Sequence, residues 1–245
     1  MKTVLIDGSP KKKGSTSGYF LSLQAASLRG EKVFMKLRGH RDHGRILEQL
    51  KDAQVVVFSV PLYIDSLPAH VLDFLRDMEK FCRECRPDLK VYVIANNGFI
   101  EGRQNESLFN VMKNFCARSR LQWGGGIGIG GGVMFHALKI AMMVVAGLFV
   151  TGLLVSGFRF GNWLPFDLMH RVINTLLLLV FFQLGALFEM AGMARKINRC
   201  REFGEHYTRI LLPSFIFIPV ADLFFLLVSL FRGGLFRGWL KRKKE

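Results

Sequence analysis

The chain has 245 residues, enough for one sizeable domain with an appendage or for two small domains. Half of the residues are hydrophobic, 22% are charged, and the formal net charge at pH 7 is +15. Because zinc-finger, RNA-binding and basic-helix patterns are absent, this charge indicates anionic lipid or a phosphate-bearing ligand and argues against nucleic acid. Four cysteines are too few for a disulfide framework, and no signal peptide is recognisable, so we expect a reducing, cytoplasmic environment.

The first half alternates short apolar runs with stretches of helical periodicity. We predict five strands and, between them, at least three helices. The predicted strands are 3–6, 32–37, 53–60, 90–95 and 121–129, and the helices are 17–28, 69–82 and 106–118. Continuous apolar strands indicate burial on both faces of a parallel sheet. The predicted fold is α/β, a doubly wound five-stranded parallel sheet over residues 1–133.

The loop after the first strand, DGSPKKKGSTS, combines hydroxyls with lysines at the start of a helix. First-turn amides and the positive end of the helix dipole suit a phosphate. The candidate phosphate contacts are Ser9, Lys11, Ser15, Thr16 and Ser17. An exposed turn with a serine or threonine N-cap is the alternative interpretation. Asp7 is unfavourable beside a phosphate unless a neighbouring lysine offsets its charge.

The loops after the third and fourth strands are also unusual in composition. Tyr63 follows a buried strand, where it could stack on a planar ring or simply pack its own loop. Asn96, Asn97 and Gly98 could place amide groups against polar ring edges, or form a plain turn. In doubly wound sheets the ligand lies beyond the carboxyl ends of the strands. All three loops therefore belong to the region where a ligand is expected.

Three segments together resemble the flavodoxin-like NAD(P)H-dependent FMN reductases, a family that includes iron–sulfur flavoprotein relatives. They are GSPKKKGSTS, VVVFSVPLYIDSLPAHVLDFLRDME and NNGFIEGRQNESLFNVMKNFCARSRLQWGGGIGIGGG, and the resemblance covers about residues 1–132. It implies bound FMN, NADPH or NADH as reductant, and no catalytic acid or base. The implied FMN contacts are Ser9, Ser15, Thr16 and Ser17 at the phosphate, Pro61, Leu62, Tyr63 and Ile64 beside the isoalloxazine, and Asn96, Asn97, Gly98 and Phe99 in the third loop.

The chain also departs from that family. The polar segment 38–50 lacks the compact cysteine cluster of the iron–sulfur relatives, so we expect no metal centre. We interpret His40 and His43 as solvated histidines of a loop, and Cys82 and Cys85 as ordinary thiols, because zinc would need two further ligands.

Two uncharged apolar runs, 140–158 and 172–188, are long enough for transmembrane helices. We predict a hydrophobic helical hairpin over residues 134–192, in which Gly152 and Ser156 permit close helix approach. Two buried helices in a soluble core or an obligate dimer are the alternative. The basic segment 194–209 and the positive-inside rule place both hairpin ends, and the α/β domain, on the cytoplasmic side of the cell membrane.

Residues 193–245 are predicted to form a basic amphipathic or interfacial region. Trp239 and the terminal lysines would lie at anionic headgroups, although a third span over 210–231 stays open. Residues 193–204 could instead complete the α/β domain, which would make the hairpin an insertion.

These patterns predict a membrane-associated, FMN-dependent NAD(P)H oxidoreductase. Its expected partners are a quinone-like or other small electron acceptor, membrane lipid and, by the resemblance, a second copy in a homodimer, with no nucleic acid. A flavodoxin-like FMN module that exchanges electrons with a protein partner is one alternative. A flavin-free membrane sensor or scaffold is another, since fold alone does not fix function.

Overall fold

The computed structural model describes residues 1–12, 14–85, 87–161, 163 and 166–231. The strands are β1 (Lys2–Asp7), β2 (Glu31–Lys36), β3 (Val55–Pro61), β4 (Lys90–Asn96), β5 (Gln122–Gly130) and β6 (Gly204–Arg209). The helices are α1 (Thr16–Ala26), α2 (His43–Leu50), α3 (Ala69–Cys85), α4 (Glu106–Ser119), α5 (Gly132–Phe160), α6 (Phe166–Phe181), α7 (Leu184–Ile197) and α8 (Ser214–Phe231). The chain divides into two units, Met1–Leu211 and Leu212–Glu245, and α8 belongs to the second.

The first unit contains one parallel sheet with the strand order β2-β1-β3-β4-β5-β6. β3 and β4 are buried almost throughout, because helices cover both of their faces. The order 2-1-3-4-5 is that of flavodoxin-like sheets, and it reverses direction between β1 and β3. The predicted α/β class with a doubly wound parallel sheet is confirmed.

The predicted number of strands is wrong by one, because β6 extends the sheet beyond β5. Its sequence, GEHYTR, has no apolar run, and the sequence alone predicts that it belongs to the basic C-terminal region. Long-range contacts hold it in place: the Tyr207 ring lies 5.8 Å from that of Phe109, and Glu205 forms a 2.8 Å ion pair with Lys113. An edge strand can be this polar because one side of it carries no neighbour.

The segment 38–50, interpreted as a polar loop, contains α2. Ile46 and Leu50 lie in the core, and His43 is buried on the same helix face. The Nδ1 atom of His43 lies 2.8 Å from the Oδ2 atom of Asp77 on α3, and this hydrogen bond holds the pKa of Asp77 below its usual range. The interpretation of His43 as solvated is therefore wrong, whereas His40 is exposed.

The first predicted span lies within α5, which is a single 29-residue helix. Residues Ala137–Phe160 form the one described helix that is long and apolar enough to cross a membrane, and its most apolar part is not buried by the rest of the described chain. Gly152 lets α6 approach closely, since a Cβ atom there would lie 2.8 Å from the Cδ2 atom of Leu168.

The second predicted span, 172–188, is not one helix. α6 ends at Phe181, and α7 begins at Leu184 with a bend of 62° between them. α6 alone is 16 residues long, about 24 Å, which is shorter than the roughly 30 Å of a bilayer's hydrocarbon core. α7 instead buries Met190, Met193 and Ile197 in the first unit, where it contacts α1, β5 and β6.

The predicted boundary between residues 133 and 134 falls inside α5. The segment 193–204, suggested to complete the α/β domain, contains the end of α7 and the first residue of β6. In the second unit, α8 is apolar and contains Pro219. Its apolar stretch Ser214–Leu223 is short for a span. The basic tail with Trp239 lies outside the described residues.

We expect Gly102→Ala to lower the free energy of unfolding by about 2–3 kcal/mol. A Cβ atom at residue 102 would lie 2.2 Å from the backbone oxygen of Thr208 in β6 and 2.4 Å from that of Gly128 in β5. Gly44→Ala is the matched control, since that position in α2 has open space and the change should stabilise by about 0.5 kcal/mol. Denaturant titration measures both, and equal midpoints for the two variants would contradict the packing of residue 102 on β5 and β6.

Candidate functional site

The loops that follow β1, β3 and β4 meet at the carboxyl edge of the sheet. Ten of the thirteen residues expected from the sequence line one cavity of about 120 Å³, which we call the loop cavity. They are Ser9, Lys11, Thr16, Ser17, Pro61, Leu62, Tyr63, Asn96, Asn97 and Gly98. Ser15, Ile64 and Phe99 do not line it. The volume suits a phosphate-sized group, so a larger ligand would extend onto the open surface.

Asp7 organises the β1–α1 loop from inside the protein. Its buried carboxylate accepts hydrogen bonds from the Ser9 amide at 3.1 Å and from the Ser15 hydroxyl at 3.0 Å. The Ser15 oxygen in turn accepts from the Gly18 amide at 2.9 Å, which makes Ser15 the N-cap of α1. Both carboxylate oxygens are therefore engaged within the loop, and Asp7 does not line the loop cavity. Ser15 is a structural cap, the alternative that the sequence kept open.

The first turn of α1 is tied to the middle of the sheet. The side-chain Nδ2 group of Asn96 donates to the Ser17 hydroxyl oxygen at 3.0 Å and to the Val60 carbonyl at 3.1 Å. The Ser59 hydroxyl donates to the Ser17 carbonyl at 2.8 Å. The first-turn amides of a helix have no partner within the helix, so Thr16 and Ser17 bring amide donors as well as hydroxyls to the cavity.

Two residues that the sequence did not single out support the same loop. The Arg38 guanidinium, just after β2, donates to the carbonyls of Lys11 and Lys12 at 3.3 and 2.5 Å. On the other side, the His70 Nε2 atom lies 3.1 Å from the Gly8 carbonyl oxygen. Neither interaction could be found from local patterns, because both residues are distant in sequence. Lys13 lies outside the described residues.

Asn97, which lines the loop cavity, carries an unsatisfied acceptor. Its Nδ2 group donates to the Glu101 carbonyl at 3.0 Å, whereas its Oδ1 atom is buried and has no partner among the described residues. A buried oxygen without a donor costs free energy, and a ligand N–H group would satisfy it. This orphaned acceptor is the strongest structural indication of a ligand at the site.

The β3–α3 loop contains a strained turn. Tyr63 and Ser66 exchange two backbone hydrogen bonds, of 2.9 and 3.1 Å, and between them Ile64 and Asp65 have φ of 47° and 57°. Left-handed backbone is unusual for a β-branched residue, and such strain is often found at ligand-binding loops. Ile64 is fully exposed, and the rings of Tyr63 and Phe99 are also exposed beside the cavity. These three apolar groups border the open surface onto which a larger ligand would extend.

The cysteines lie away from the loop cavity. Cys82 is buried on α3, and burial raises the pKa of its thiol to about 11, so it is a poor nucleophile. His40, His43 and Asp77 bring three potential ligand atoms within 4.8 Å of one another, but the His43–Asp77 hydrogen bond and the Asp77–Lys80 ion pair already use this carboxylate.

No family model and no curated protein matches this chain. Among solved structures, the Trp repressor binding protein from Bacillus subtilis is 14% identical, with a TM-score of 0.44 over 53% of this chain and 84% of that one. An NAD(P)H:quinone oxidoreductase from Methanothermobacter marburgensis is 18% identical, with a TM-score of 0.44 over 54% and 84%. An azoreductase from Bacillus anthracis is 15% identical, with a TM-score of 0.40 over 60% and 95%. At this level of similarity the comparisons assign no activity.

We expect Ile64→Asn to raise the free energy of unfolding by about 1 kcal/mol, because asparagine adopts left-handed backbone with little strain. Ile64→Val is the matched control, since valine keeps the β-branch and therefore the strain. Thermal unfolding of the three proteins without added ligand measures the effect. A valine variant as stable as the asparagine variant would show that the backbone of this turn stores no strain.

Proposed function

We propose that the chain is a membrane-associated FMN-dependent oxidoreductase that takes reducing equivalents from NADPH or NADH and passes them to a quinone-like or other small acceptor. The observation that carries the proposal is the loop cavity itself. It lies where the strand order reverses between β1 and β3, which is where flavodoxin-like folds bind FMN. Its polar groups are those that such a ligand would require.

The phosphate end of the ligand fits the β1–α1 loop. Thr16 and Ser17 offer hydroxyls and first-turn amides, and Lys11 adds a positive charge. Asp7 does not line the loop cavity, and its carboxylate accepts hydrogen bonds from Ser9 and Ser15. Its negative charge is offset by Lys11, which does line the cavity, so the predicted conflict between Asp7 and a phosphate is reduced.

The ring end fits the other two loops. Asn97 offers its unpaired Oδ1 atom to a ring N–H group, and Tyr63 and Phe99 offer aromatic faces. When bound, the flavin supplies hydride acceptance and donation. The chain's residues then hold and orient it, and none is required as a proton donor. Ile64, exposed at the tip of the strained turn, borders the face to which a nicotinamide or an acceptor would come.

The membrane is proposed as the location because α5 exposes a continuous apolar surface. Met143, Val144 and Leu148 are more than half exposed, as expected for contact with lipid. The hairpin of α5 and α6 follows β5 and leads into α7, which packs on the sheet, so both of its ends lie on one side. The basic clusters and the positive-inside rule favour the cytoplasmic side for these ends. A second copy covering α5 in a homodimer is the competing arrangement.

Purified protein should bind FMN, and NADPH or NADH should bleach its absorbance near 450 nm. Asn97→Ala should raise the Kd for FMN about tenfold, because one ligand hydrogen bond is lost. Asn105→Ala is the control: Asn105 is also buried with an unpaired Oδ1 atom, but it does not line the loop cavity. Fluorescence titration with FMN measures both. A chain that ignores FMN, or equal losses in both variants, would refute the proposed site.

Leu148→Arg should prevent stable membrane integration, because an arginine at mid-span costs about 3 kcal/mol. Phe160→Arg places the same charge at the helix end, where it reaches the interface and should be tolerated. Membrane fractions washed with alkaline carbonate and probed for the full chain give the readout. Recovery of the unaltered chain in the soluble fraction would refute the membrane location, whatever the outcome for FMN.

A further inference from the structure

A second and larger cavity lies between α1 and the edge strand β2. Its volume is about 630 Å³, within the usual range for small-molecule sites, and we call it the α1–β2 groove. Residues of the β1–α1 loop, α1, β2 and α2 line it, together with Lys139 of α5. The β1–α1 loop and the first turn of α1 contribute to both this groove and the FMN site proposed above, but among the described residues the two cavities have no lining residue in common.

Three cations from three different elements converge on the groove. They are Lys36 at the end of β2, Arg45 on α2 and Lys139 on α5. Among the described residues of the lining one is acidic, Asp7, which accepts hydrogen bonds from Ser9 and Ser15, and the three cations outweigh its charge. Arg45 also lies 3.4 Å from Asp42, an exposed pair that contributes little. The groove is therefore positively charged and suits an anion.

The groove also has an apolar part. Phe34, on the edge strand, is 55% exposed. The residues before and after it, Val33 and Met35, pack against the core, because successive side chains of a strand point to opposite faces. Tyr19 and Leu21 of α1 line the same cavity. A small, fully hydrated anion would leave this surface unused. A ligand that joins an anionic group to an apolar group would contact both parts.

The groove opens at the base of the hydrophobic hairpin. The first turn of α5 packs in the first unit, where the Phe135 ring meets that of Phe20 edge-on at 5.1 Å. One turn later, the Lys139 Nζ atom lies 5.3 Å from the centre of the Tyr19 ring, and the exposed apolar surface of α5 begins at Ile140. Lys139 thus stands at the boundary between the folded domain and the candidate span.

The end of the hairpin, between α6 and α7, contacts the same tyrosine. The Tyr19 hydroxyl donates at 2.6 Å to the Oε1 atom of Gln183, which is buried at the bend between α6 and α7. The Gln183 Nε2 group donates to the Leu179 carbonyl at 3.1 Å and approaches the Met142 sulfur at 3.4 Å. Burial here raises the pKa of Tyr19. Tyr19 therefore contacts both the start and the end of the hairpin, and the groove lies beside this residue.

We propose that the α1–β2 groove binds the headgroup of an anionic phospholipid, with its phosphodiester among Lys36, Arg45 and Lys139 and its glycerol and first methylenes on Phe34. The inference rests on the membrane association proposed above. Lysines at the ends of membrane helices reach toward anionic headgroups, and the tyrosine belongs to the same interfacial zone. Such a lipid would anchor the end of α1 next to the loop cavity.

The test uses the full chain in a neutral detergent, titrated with dioleoyl phosphatidylglycerol, and counts bound lipids by native mass spectrometry. The triple variant K36Q/R45Q/K139Q should bind the first phosphatidylglycerol at least fivefold more weakly than the unaltered chain. The triple variant K51Q/R76Q/K80Q removes the same charge from exposed positions outside the groove and should change binding less than twofold. Equal losses in the two variants would mean attraction by overall charge and would overturn the proposal.

Phe34→Ser leaves the charge unchanged and should weaken phosphatidylglycerol binding about threefold, which excludes a purely electrostatic site. Neutral phosphatidylcholine should compete poorly. Displacement of the lipid by equal concentrations of glycerol 3-phosphate would identify a free phosphate ester as the ligand and overturn the lipid assignment. Circular dichroism melts verify that each variant is folded.

These measurements need no flavin, so their outcome is separate from that of FMN binding. Liposome flotation of the unaltered chain tests the membrane association on which the groove's role rests. Failure to float refutes that association and the lipid site together, whereas flotation with no difference between the triple variants refutes the groove alone.

Discussion

The buried carboxylate of Asp7 is the interaction on which both cavities depend. By accepting hydrogen bonds from Ser9 and Ser15 it fixes the path of the β1–α1 loop and the first residue of α1. The helix start then presents amides and hydroxyls to the loop cavity on one side and borders the α1–β2 groove on the other. The carboxylate does not line the loop cavity, where it would repel a phosphate, and at the groove three cations outweigh its charge.

α1 links the candidate cofactor site to the candidate membrane hairpin. Its first turn is bound through Ser17 to Asn96 and to Ser59 of the central strands. One residue beyond Gly18, Tyr19 contacts Lys139 and Gln183, at the start and the end of the hairpin. Ser17 and Tyr19 are two residues apart, so both roles fall within a single helical turn. A ligand at either place would contact the same helix.

The hairpin is inserted between β5 and α7, and the α/β domain is completed by α7 and β6, which follow the hairpin in the chain. α7 packs on the sheet beside α1, and β6 then pairs with β5 in parallel. Because α7 must return to the sheet, the apolar run of 172–188 is cut by the 62° bend. The side-chain amide of Gln183, buried at that bend, accepts a hydrogen bond from Tyr19 and donates to the Leu179 carbonyl and the Met142 sulfur. These partners allow a polar side chain to be buried beside apolar helices.

The sequence by itself determined the features that depend on local order. The five apolar strands follow from their composition, and the three loops after β1, β3 and β4 follow from the rule that places ligands at one edge of a parallel sheet. Ten of the thirteen expected site residues do line one cavity there. Only the tertiary structure decided the rest. β6 is too polar to be recognised as a strand from its sequence. It forms because it pairs with β5, from which the hairpin separates it along the chain. Contacts between residues on different elements or loops, which no local pattern encodes, produce the Asp7–Ser15 hydrogen bond, the burial of His43 and the convergence of Lys36, Arg45 and Lys139.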